Sequence, residues 1–254
     1  MRPEWLNPVH YPFKAYWFSP SGQRLHYLDE GKGPVLVLLH GFGSWSYLYR
    51  NLLKELMAEY RCLVPDLPGF GFSDRADFDF EAELQLLSDW LASTVSGPFS
   101  LLGHDAGALW AQHLGARFAE RLDHLVLLNG WEAHEQEKRR SQIGFLTRNP
   151  LGRWWQGQRN ALLRRRLGLG ALREARIAYL KQYPDPHSRR QLAKRLADML
   201  DEKAFSQSPA LAQIPTHRLT KPQPLIPESS HQALLRQVRE FLSTQQTPSS
   251  NSHA

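Results

Sequence analysis

The sequence predicts an α/β protein with a doubly wound, mostly parallel β-sheet. Short aliphatic runs such as Pro34–Leu39 and Leu122–Leu128 alternate with helix-forming segments between residues 34 and 129. A continuous aliphatic run of this length is typical of a strand that is buried on both faces of a parallel sheet. A turn with glycine on both sides, Gly103-His-Asp-Ala-Gly107, joins one such strand directly to a helix. This alternation of strands and helices indicates a sheet whose connections are crossover helices.

The composition is that of one globular domain with room for an inserted subdomain. The 254 residues are 42% hydrophobic and 22% charged, with a formal net charge of +6, and a chain of this length can bury a full core. The single cysteine, Cys62, excludes an internal disulfide framework and favours a reducing compartment. No apolar run approaches the length of a membrane span. We therefore expect a cytoplasmic protein without stable membrane insertion.

The N-terminal region predicts a hairpin and then the first buried strand. Strand-prone runs at Ala15–Phe18 and Leu25–Leu28 flank a Pro-Ser-Gly turn, which is a hairpin signal. The aliphatic strand that follows ends in His40-Gly-Phe-Gly43, and a helix is predicted from there through Tyr60. The next predicted strand is Arg61–Pro65.

The turn at Gly103-His-Asp-Ala-Gly107 is the most informative motif. It follows the strand Phe99–Leu102 and opens an alanine- and leucine-rich helix. A sharp strand-to-helix turn needs small residues on both sides, because any larger side chain would crowd the helix against the strand. Asp105 stands at its apex, and the N–H of Ala106 lies at a helix N-terminus, where an anion is stabilised. The alternative is a structural turn without chemistry.

This turn resembles the nucleophile elbow of the α/β-hydrolase superfamily, with aspartate in place of serine. The chain looks most like the aspartate-nucleophile branch, which holds haloalkane dehalogenases, epoxide hydrolases and mesoderm-specific-transcript-like hydrolases. His40-Gly41, the loop Asp66–Asp74 with its D-x-P-G-x-G-x-S pattern, and the terminal helix Gln232–Ser243 carry the resemblance further. The resemblance implies the α/β-hydrolase fold, with a site at the C-terminal ends of the strands. It also implies that Asp66–Asp74 is scaffold.

The resemblance implies a hydrolase that works through a covalent ester. Asp105 would displace a leaving group, a histidine would activate water against the ester, and a carboxylate would orient the histidine. The backbone N–H groups of Phe42 and Ala106 would form the oxyanion hole. The substrate would be a small apolar ester, epoxide or haloalkane-like molecule, and no metal or diffusible cofactor is implied.

The histidine and its acid are harder to place. His231 is the candidate base, because it follows a proline-rich loop and precedes the last helix; alternatively it is an N-terminal residue of that helix, with Ser229 or Ser230 as the cap. His217 is the weaker candidate. Glu132 is the candidate acid, although it lies three residues beyond Asn129, where the register does not match the family.

The candidate substrate-binding residues follow strand ends or lie in the later helical region. An alanine at position 106 replaces the tryptophan that haloalkane dehalogenases use to hold halide, which weakens that interpretation. Tyr179 and Tyr183 resemble the paired cap tyrosines of epoxide hydrolases, but their i, i+4 spacing equally fits two core-facing residues. The candidates are His40, Trp45, Asn129, Trp131 and Tyr179.

The later part of the chain changes character and predicts a helical cap. Between Lys138 and Arg195 there are sixteen Lys or Arg residues against two acidic ones. Such an excess is either a solvated face or a surface for an anionic group such as a lipid headgroup, an acyl carrier or a carboxylated substrate. No nucleic-acid-binding motif accompanies it. We predict a first core part at residues 1–133, the cap at 134–206, a shortened C-terminal core part at 207–243, and a disordered tail at 244–254.

The C-terminal core part predicts a reduced sheet. Ile214–His217 fits the entry to a further strand, but the acid loop and final strand of the family do not fit before the last helix. An open sheet edge favours association, so we expect a homodimer or lowered stability. The alternative function is therefore a catalytically impaired or non-catalytic homologue that acts as a binding module.

Overall fold

The computed structural model describes residues 3–20, 22–75, 79–130, 144–146, 148–167, 173–201, 209–219 and 231–243. These residues form one seven-stranded sheet with the order β1-β2-β4-β3-β5-β6-β7. The first pairs, β1 with β2 and β2 with β4, are antiparallel, and all later pairs are parallel. The strands are β1 (Tyr16–Phe18), β2 (Leu25–Glu30), β3 (Val35–Leu39), β4 (Arg61–Pro65), β5 (Phe99–His104), β6 (Leu122–Leu128) and β7 (Thr216–Leu219).

The described part of the chain has eight α-helices with defined bounds. Some of them pack on the sheet, and the later ones pack mainly on each other. Helix α1 packs against α8, α2 packs against α3, and α3 lies on β5 and β6. The later helices pack on one another, with α4 against α7 and α5 against both α4 and α6. The helices are α1 (Arg50–Leu56), α2 (Phe80–Thr94), α3 (Gly107–Arg117), α4 (Pro150–Arg159), α5 (Ala161–Leu167), α6 (Arg173–Leu180), α7 (Pro186–Asp201) and α8 (His231–Ser243).

The predicted fold class is confirmed. The aliphatic runs form the central strands β3, β5 and β6, whose apolar side chains are almost completely buried because helices or loops cover both faces. The hairpin is β1–β2, and the segment at Ile214–His217 does lead into a parallel strand, β7. One boundary was wrong: α1 ends at Leu56 rather than at Tyr60, and residues 57–59 form a turn.

Several predictions concern residues outside the described ranges. They include the tail at 244–254, the segment 220–230 that bears on the final strands, and the domain boundaries near residues 133 and 206. The proposed division into core and cap therefore stays a prediction. No helix in the described ranges is long and apolar enough to cross a membrane.

Candidate active site

The backbone at Asp105 forms a sharp elbow between β5 and α3. Asp105 has a φ of 53°, in the left-handed region, which costs a non-glycine residue about 1–2 kcal/mol. Gly107 lets α3 pass close to β3, because a Cβ at this position would lie 2.4 Å from the carbonyl oxygens of Leu39 and His40. The strained elbow thus holds the Asp105 side chain above the C-terminal end of the sheet.

The carboxylate of Asp105 is buried, with 1% of the residue exposed. Its Oδ2 accepts a hydrogen bond from the backbone N–H of Phe42 at 3.0 Å. Gly41 permits this approach, because a Cβ there would lie 2.9 Å from Oδ2. Of the two expected oxyanion donors, Phe42 therefore points at the candidate nucleophile itself, and Ala106 is the fully buried N-cap residue of α3.

His40 joins the two loops beside this carboxylate. The Leu67 N–H donates to Nε2 of His40 at 2.8 Å, so Nδ1 carries the proton and donates to the Gly41 carbonyl at 2.9 Å. Burial lowers the pKa of His40 and keeps the ring neutral. Both ring nitrogens are thus used by the backbone, and the structure gives His40 the role of fixing the loops; contact with substrate stays a prediction.

Asp66 is the centre of the D-x-P-G-x-G-x-S loop. Its buried carboxylate accepts hydrogen bonds from the Ser46 N–H at 2.7 Å and the Phe72 N–H at 2.9 Å, and it pairs with Nδ1 of His26 at 2.8 Å. Burial alone raises the pKa of Asp66, but His26, His40 and the Phe72 N–H outweigh it and hold the pKa below its ordinary value. These bonds tie β2, β4 and the loop together, which is the scaffold role expected for this motif.

We expect Asp66→Asn to lower the free energy of unfolding by about 2 kcal/mol or more, because charge-assisted bonds are lost and an amide donor meets backbone N–H groups. The folded pKa is depressed, so this contribution is present above the ordinary carboxyl pKa and disappears as pH falls through the folded value. Urea unfolding of both proteins, at neutral pH and below pH 4, measures the difference. The control is Asp74→Asn, at a carboxylate that is partly exposed, and it should lower the free energy of unfolding by less than about 1 kcal/mol. An equal loss in both variants at neutral pH would contradict this account.

Two tyrosines from different parts of the chain lie near the elbow. Tyr49 is buried and donates its hydroxyl to the Leu39 carbonyl at 2.9 Å. Burial raises its pKa well above the ordinary value, and the charges of Tyr179 and Asp105 add to this effect. Tyr179, from α6, packs its ring edge-on to Tyr47 with centroids 5.9 Å apart. Tyr179 therefore reaches the segment after β3, and its contact with substrate stays a prediction.

Tyr183 takes a different position from Tyr179. It is buried beside Arg75, whose guanidinium lies 5.0 Å from the ring centroid. Burial raises the pKa of Tyr183 to about 12, although Arg75 and Arg195 oppose the shift. The two tyrosines thus have different neighbours, and their interpretation as a pair of cap tyrosines stays a prediction.

The later helices are fixed to the core by Arg195 of α7. Its guanidinium forms an ion pair with Glu83 of α2, donates to the Pro68 carbonyl at 2.6 Å, and lies 5.0 Å from the ring centroid of Phe70. Leu163 of α5 also approaches the loop after β3, lying 3.4 Å from where a Cβ on Gly43 would be. Helices α5, α6 and α7 therefore contact the loops that surround Asp105.

Trp45 and Asn129 are the remaining candidates for substrate binding that lie within the described residues. Trp45 is fully buried within the aromatic rings of Trp5, Tyr11, Tyr47 and Phe72. Asn129 follows β6 with a φ of 49°, next to Leu128, whose carbonyl accepts the Asp105 N–H at 2.7 Å. Contact of either residue with substrate stays a prediction.

His231 is the first residue of α8 and is partly exposed, so its position fits the alternative of a helix N-terminal residue. Its ring nitrogen Nε2 lies 3.0 Å from the side-chain nitrogen of Gln232. Its role as base stays a prediction. Glu132 and Trp131 lie outside the described residues.

Comparison with curated proteins identifies relatives over part of the chain. A cis-3-alkyl-4-alkyloxetan-2-one decarboxylase of Shewanella oneidensis is 38% identical over 131 residues, which cover 48% of this chain and 41% of the relative. Haloalkane dehalogenase 2 of Mycobacterium tuberculosis is 33% identical over 128 residues, which cover 49% of this chain and 45% of the relative. The matched region spans less than half the length of these relatives.

Solved structures share the fold over most of the chain. The epoxide hydrolase CorEH matches with a TM-score of 0.74 at 20% identity, covering 91% of this chain and 99% of that one. The haloalkane dehalogenase DbeA from Bradyrhizobium elkani matches with a TM-score of 0.73 at 18% identity, covering 91% and 98%. The alpha/beta hydrolase family matches residues 36–248. With the sheet order and the elbow at Asp105, this match establishes that the chain belongs to the alpha/beta hydrolase family.

Proposed function

We propose that the chain is a hydrolase whose Asp105 forms a covalent ester with a small apolar substrate. The observation that carries the proposal is the buried carboxylate of Asp105, held at a strained elbow with Oδ2 on the Phe42 N–H. A carboxylate with one oxygen fixed presents the other in a defined direction, which is what attack on an electrophilic carbon needs. The strain at the elbow supports a functional role.

The surroundings of Asp105 support an apolar substrate. Phe42 and Phe70 pack edge-on with centroids 5.6 Å apart, Tyr49 is fully buried, and Leu163 approaches from α5. These described side chains next to the loop after β3 favour binding of the substrate through apolar contact.

The relatives indicate which electrophiles to test. Their names specify a haloalkane, an epoxide and an oxetan-2-one, which is a four-membered cyclic ester. All three present a saturated carbon bonded to a group that can leave when a carboxylate attacks. We extend the proposal to esters, epoxides and haloalkane-like compounds as the substrate class. The proposal also includes a cytoplasmic location, a homodimer and no nucleic-acid partner.

The alternative is a non-catalytic homologue that binds a ligand without turnover. The C-terminal core part favours this alternative, because the acid loop and final strand of the family do not fit in the sequence before the last helix. The two functions share the elbow and differ in whether an ester on Asp105 can be hydrolysed.

The test is a substrate panel on the intact chain and on His231→Gln, with His217→Gln as the matched control. The panel contains a bromoalkane, styrene oxide and a cis-3,4-dialkyloxetan-2-one, each of which can form an ester with Asp105. It also contains a short aryl ester, which can only transfer its acyl group to Asp105 as a mixed anhydride, and intact mass is recorded after each incubation. We expect turnover by the intact chain and by His217→Gln, and a stable mass adduct without turnover in His231→Gln, because the ester then lacks its base.

The other outcomes separate the alternatives. An adduct on the intact chain without turnover would mean that the nucleophile works and the base is missing, which is the impaired homologue. Neither turnover nor adduct with any compound would contradict the proposed hydrolase and support the binding module.

A further inference from the structure

Helix α4 exposes a cluster of large apolar side chains on its outer face. Leu151 is 65% exposed, Trp154 57%, and Trp155 45%, and Phe145 just before the helix is 52% exposed. These are four of the seven large hydrophobic residues that are exposed in the described part of the chain. Clustered exposed apolar side chains mark an interaction site more often than scattered ones do.

The opposite face of α4 is already used for packing. Gly157 faces α7, where a Cβ would lie 3.3 Å from the Pro186 carbonyl oxygen, and Gln156 is fully buried and bonds the Arg189 carbonyl at 3.3 Å. The helix is therefore anchored by its polar and small residues, while its tryptophans point outward. This is the reverse of an ordinary amphipathic surface helix.

Cations border the apolar cluster. A groove of about 450 Å³ between α4 and α7 is lined by Arg153, Trp154, Arg190 and Lys194, among others. Arg153 and Arg190 are both exposed, and neither takes part in an ion pair among the described residues. An open groove with cations beside an indole ring suits a phosphate group that is attached to an apolar body.

A second basic groove lies on the same helical region. It has a volume of about 550 Å³ and is formed by α6 and the start of α7, with Arg173, Arg176 and Lys181 in its lining. Its fourth cation, Arg189, donates to the carbonyls of Tyr183, Gly157, Gln158 and Pro184 and is therefore a structural residue. Arg173, Arg176 and Lys181 therefore add positive charge to the helical region that carries the first groove.

We propose that the outer face of α4 and the groove between α4 and α7 form a peripheral docking surface for an anionic phospholipid bilayer. Indole rings and aliphatic side chains favour the boundary between headgroups and acyl chains, and arginine and lysine bind the phosphates. Leu151, Trp154 and Trp155 enter this boundary, while Arg153 and Arg190 contact headgroups. The helix lies in the interface and does not cross the membrane.

Charge and chemistry favour a bilayer over other occupants. A second copy docked through the same face would bring the arginines of both copies together, and like charges at an interface are unfavourable. A nucleic acid could stack on the tryptophans but offers nothing for Leu151 and Phe145 to enter. A bilayer of anionic lipid satisfies both the apolar residues and the cations. Docking is independent of the chemistry at Asp105, because it is measured without turnover.

The test is vesicle flotation of the full chain, with phosphatidylcholine vesicles compared with vesicles that also contain phosphatidylglycerol. We expect binding to the mixed vesicles and little to phosphatidylcholine alone. Binding should weaken as salt rises, because the screening length falls from about 10 Å at 0.1 M to about 3 Å at 1 M.

Two double variants separate the apolar contribution to vesicle binding from the electrostatic one. Trp154→Ala with Trp155→Ala removes the apolar anchors, and its control is Trp17→Ala, a tryptophan on β1 that is 46% exposed. Arg153→Glu with Arg190→Glu reverses the groove charge, and its control is Lys32→Glu with Arg236→Glu, which makes the same change in net charge at exposed positions elsewhere. Each test variant should bind mixed vesicles at least about tenfold more weakly. For the charge reversal, the reason is that one cation near an anionic surface contributes a factor of about five. For the tryptophan variant, the reason is the loss of both indole rings from the boundary between headgroups and acyl chains. The controls should bind nearly as well as the unaltered chain.

Four results would overturn the proposal. They are no binding to mixed vesicles, binding that both test variants retain, an equal loss in the controls, and variants that instead lose only self-association or only oligonucleotide binding. Thermal melting confirms that each variant is folded. If the tryptophan variant unfolds, the charge-reversal pair and the salt dependence decide the result.

Discussion

Asp105→Asn is expected to abolish turnover while leaving the protein folded. The amide cannot attack carbon as a carboxylate does, and loss of a catalytic nucleophile lowers kcat by a factor on the order of 10⁴ or more. Asparagine also tolerates the left-handed region, so the φ of 53° need not change, and its side-chain oxygen can still accept the Phe42 N–H. The measurement pairs kcat on whichever panel compound is turned over with the free energy of unfolding.

Stability separates the catalytic account of Asp105 from the structural one. A buried charge kept for catalysis is often held at the expense of stability, so Asp105→Asn should unfold at the same urea concentration as the unaltered chain or at a higher one. If the variant were instead strongly destabilised, with activity falling only in proportion to the folded fraction, Asp105 would be a structural residue of the turn.

Arg195→Met is expected to destabilise the protein by about 3–5 kcal/mol, because it removes one partner of a buried ion pair and leaves the other charge in place. The side chain of Arg195 is 14% exposed and that of Glu83 is 5% exposed. Methionine keeps much of the apolar stem that packs near Phe70, so the loss reports mainly on the charge and its hydrogen bonds. Urea unfolding followed by tryptophan fluorescence measures it.

The exposed pair Arg24 and Asp74 is the matched control. Its side chains are 59% and 33% exposed at an N–O distance of 3.0 Å, so water screens the pair and Arg24→Met should destabilise the protein far less than Arg195→Met. The double variant Arg195→Met with Glu83→Gln should recover part of the loss, because no buried charge is left. Equal losses at the two arginines, or no recovery in the double variant, would contradict the assigned role of Arg195.

The central sheet could be predicted because its signal is local. A strand that is buried on both faces must be apolar throughout, so β3, β5 and β6 are visible as aliphatic runs. The elbow could be predicted for the same reason, because the two glycines and Asp105 lie within five consecutive residues. Helix α1 was predicted too long because the turn after Leu56 carries neither glycine nor proline to mark it.

The sequence analysis missed interactions between residues that lie far apart in the sequence. Arg195 and Glu83 are 112 positions apart, and His26 and Asp66 are 40 apart. Arg195 is one of sixteen cations between Lys138 and itself, and nothing in its neighbours distinguishes it. Tyr49 was missed because its proximity to Asp105 arises only when the segment after β3 folds back on the elbow. Such partners depend on tertiary packing, which local periodicity does not encode.

The covalent ester on Asp105 is tested most directly by turnover in water labelled with ¹⁸O, using styrene oxide or the bromoalkane. In the proposed reaction a carboxylate oxygen of Asp105 bonds to the substrate carbon as the leaving group departs, and water then attacks the carbonyl carbon of the ester. The account predicts that the product of a single turnover carries unlabelled oxygen from Asp105, and that the peptide containing Asp105 gains ¹⁸O. A labelled product with an unlabelled peptide would contradict it, because water would then have attacked the substrate directly.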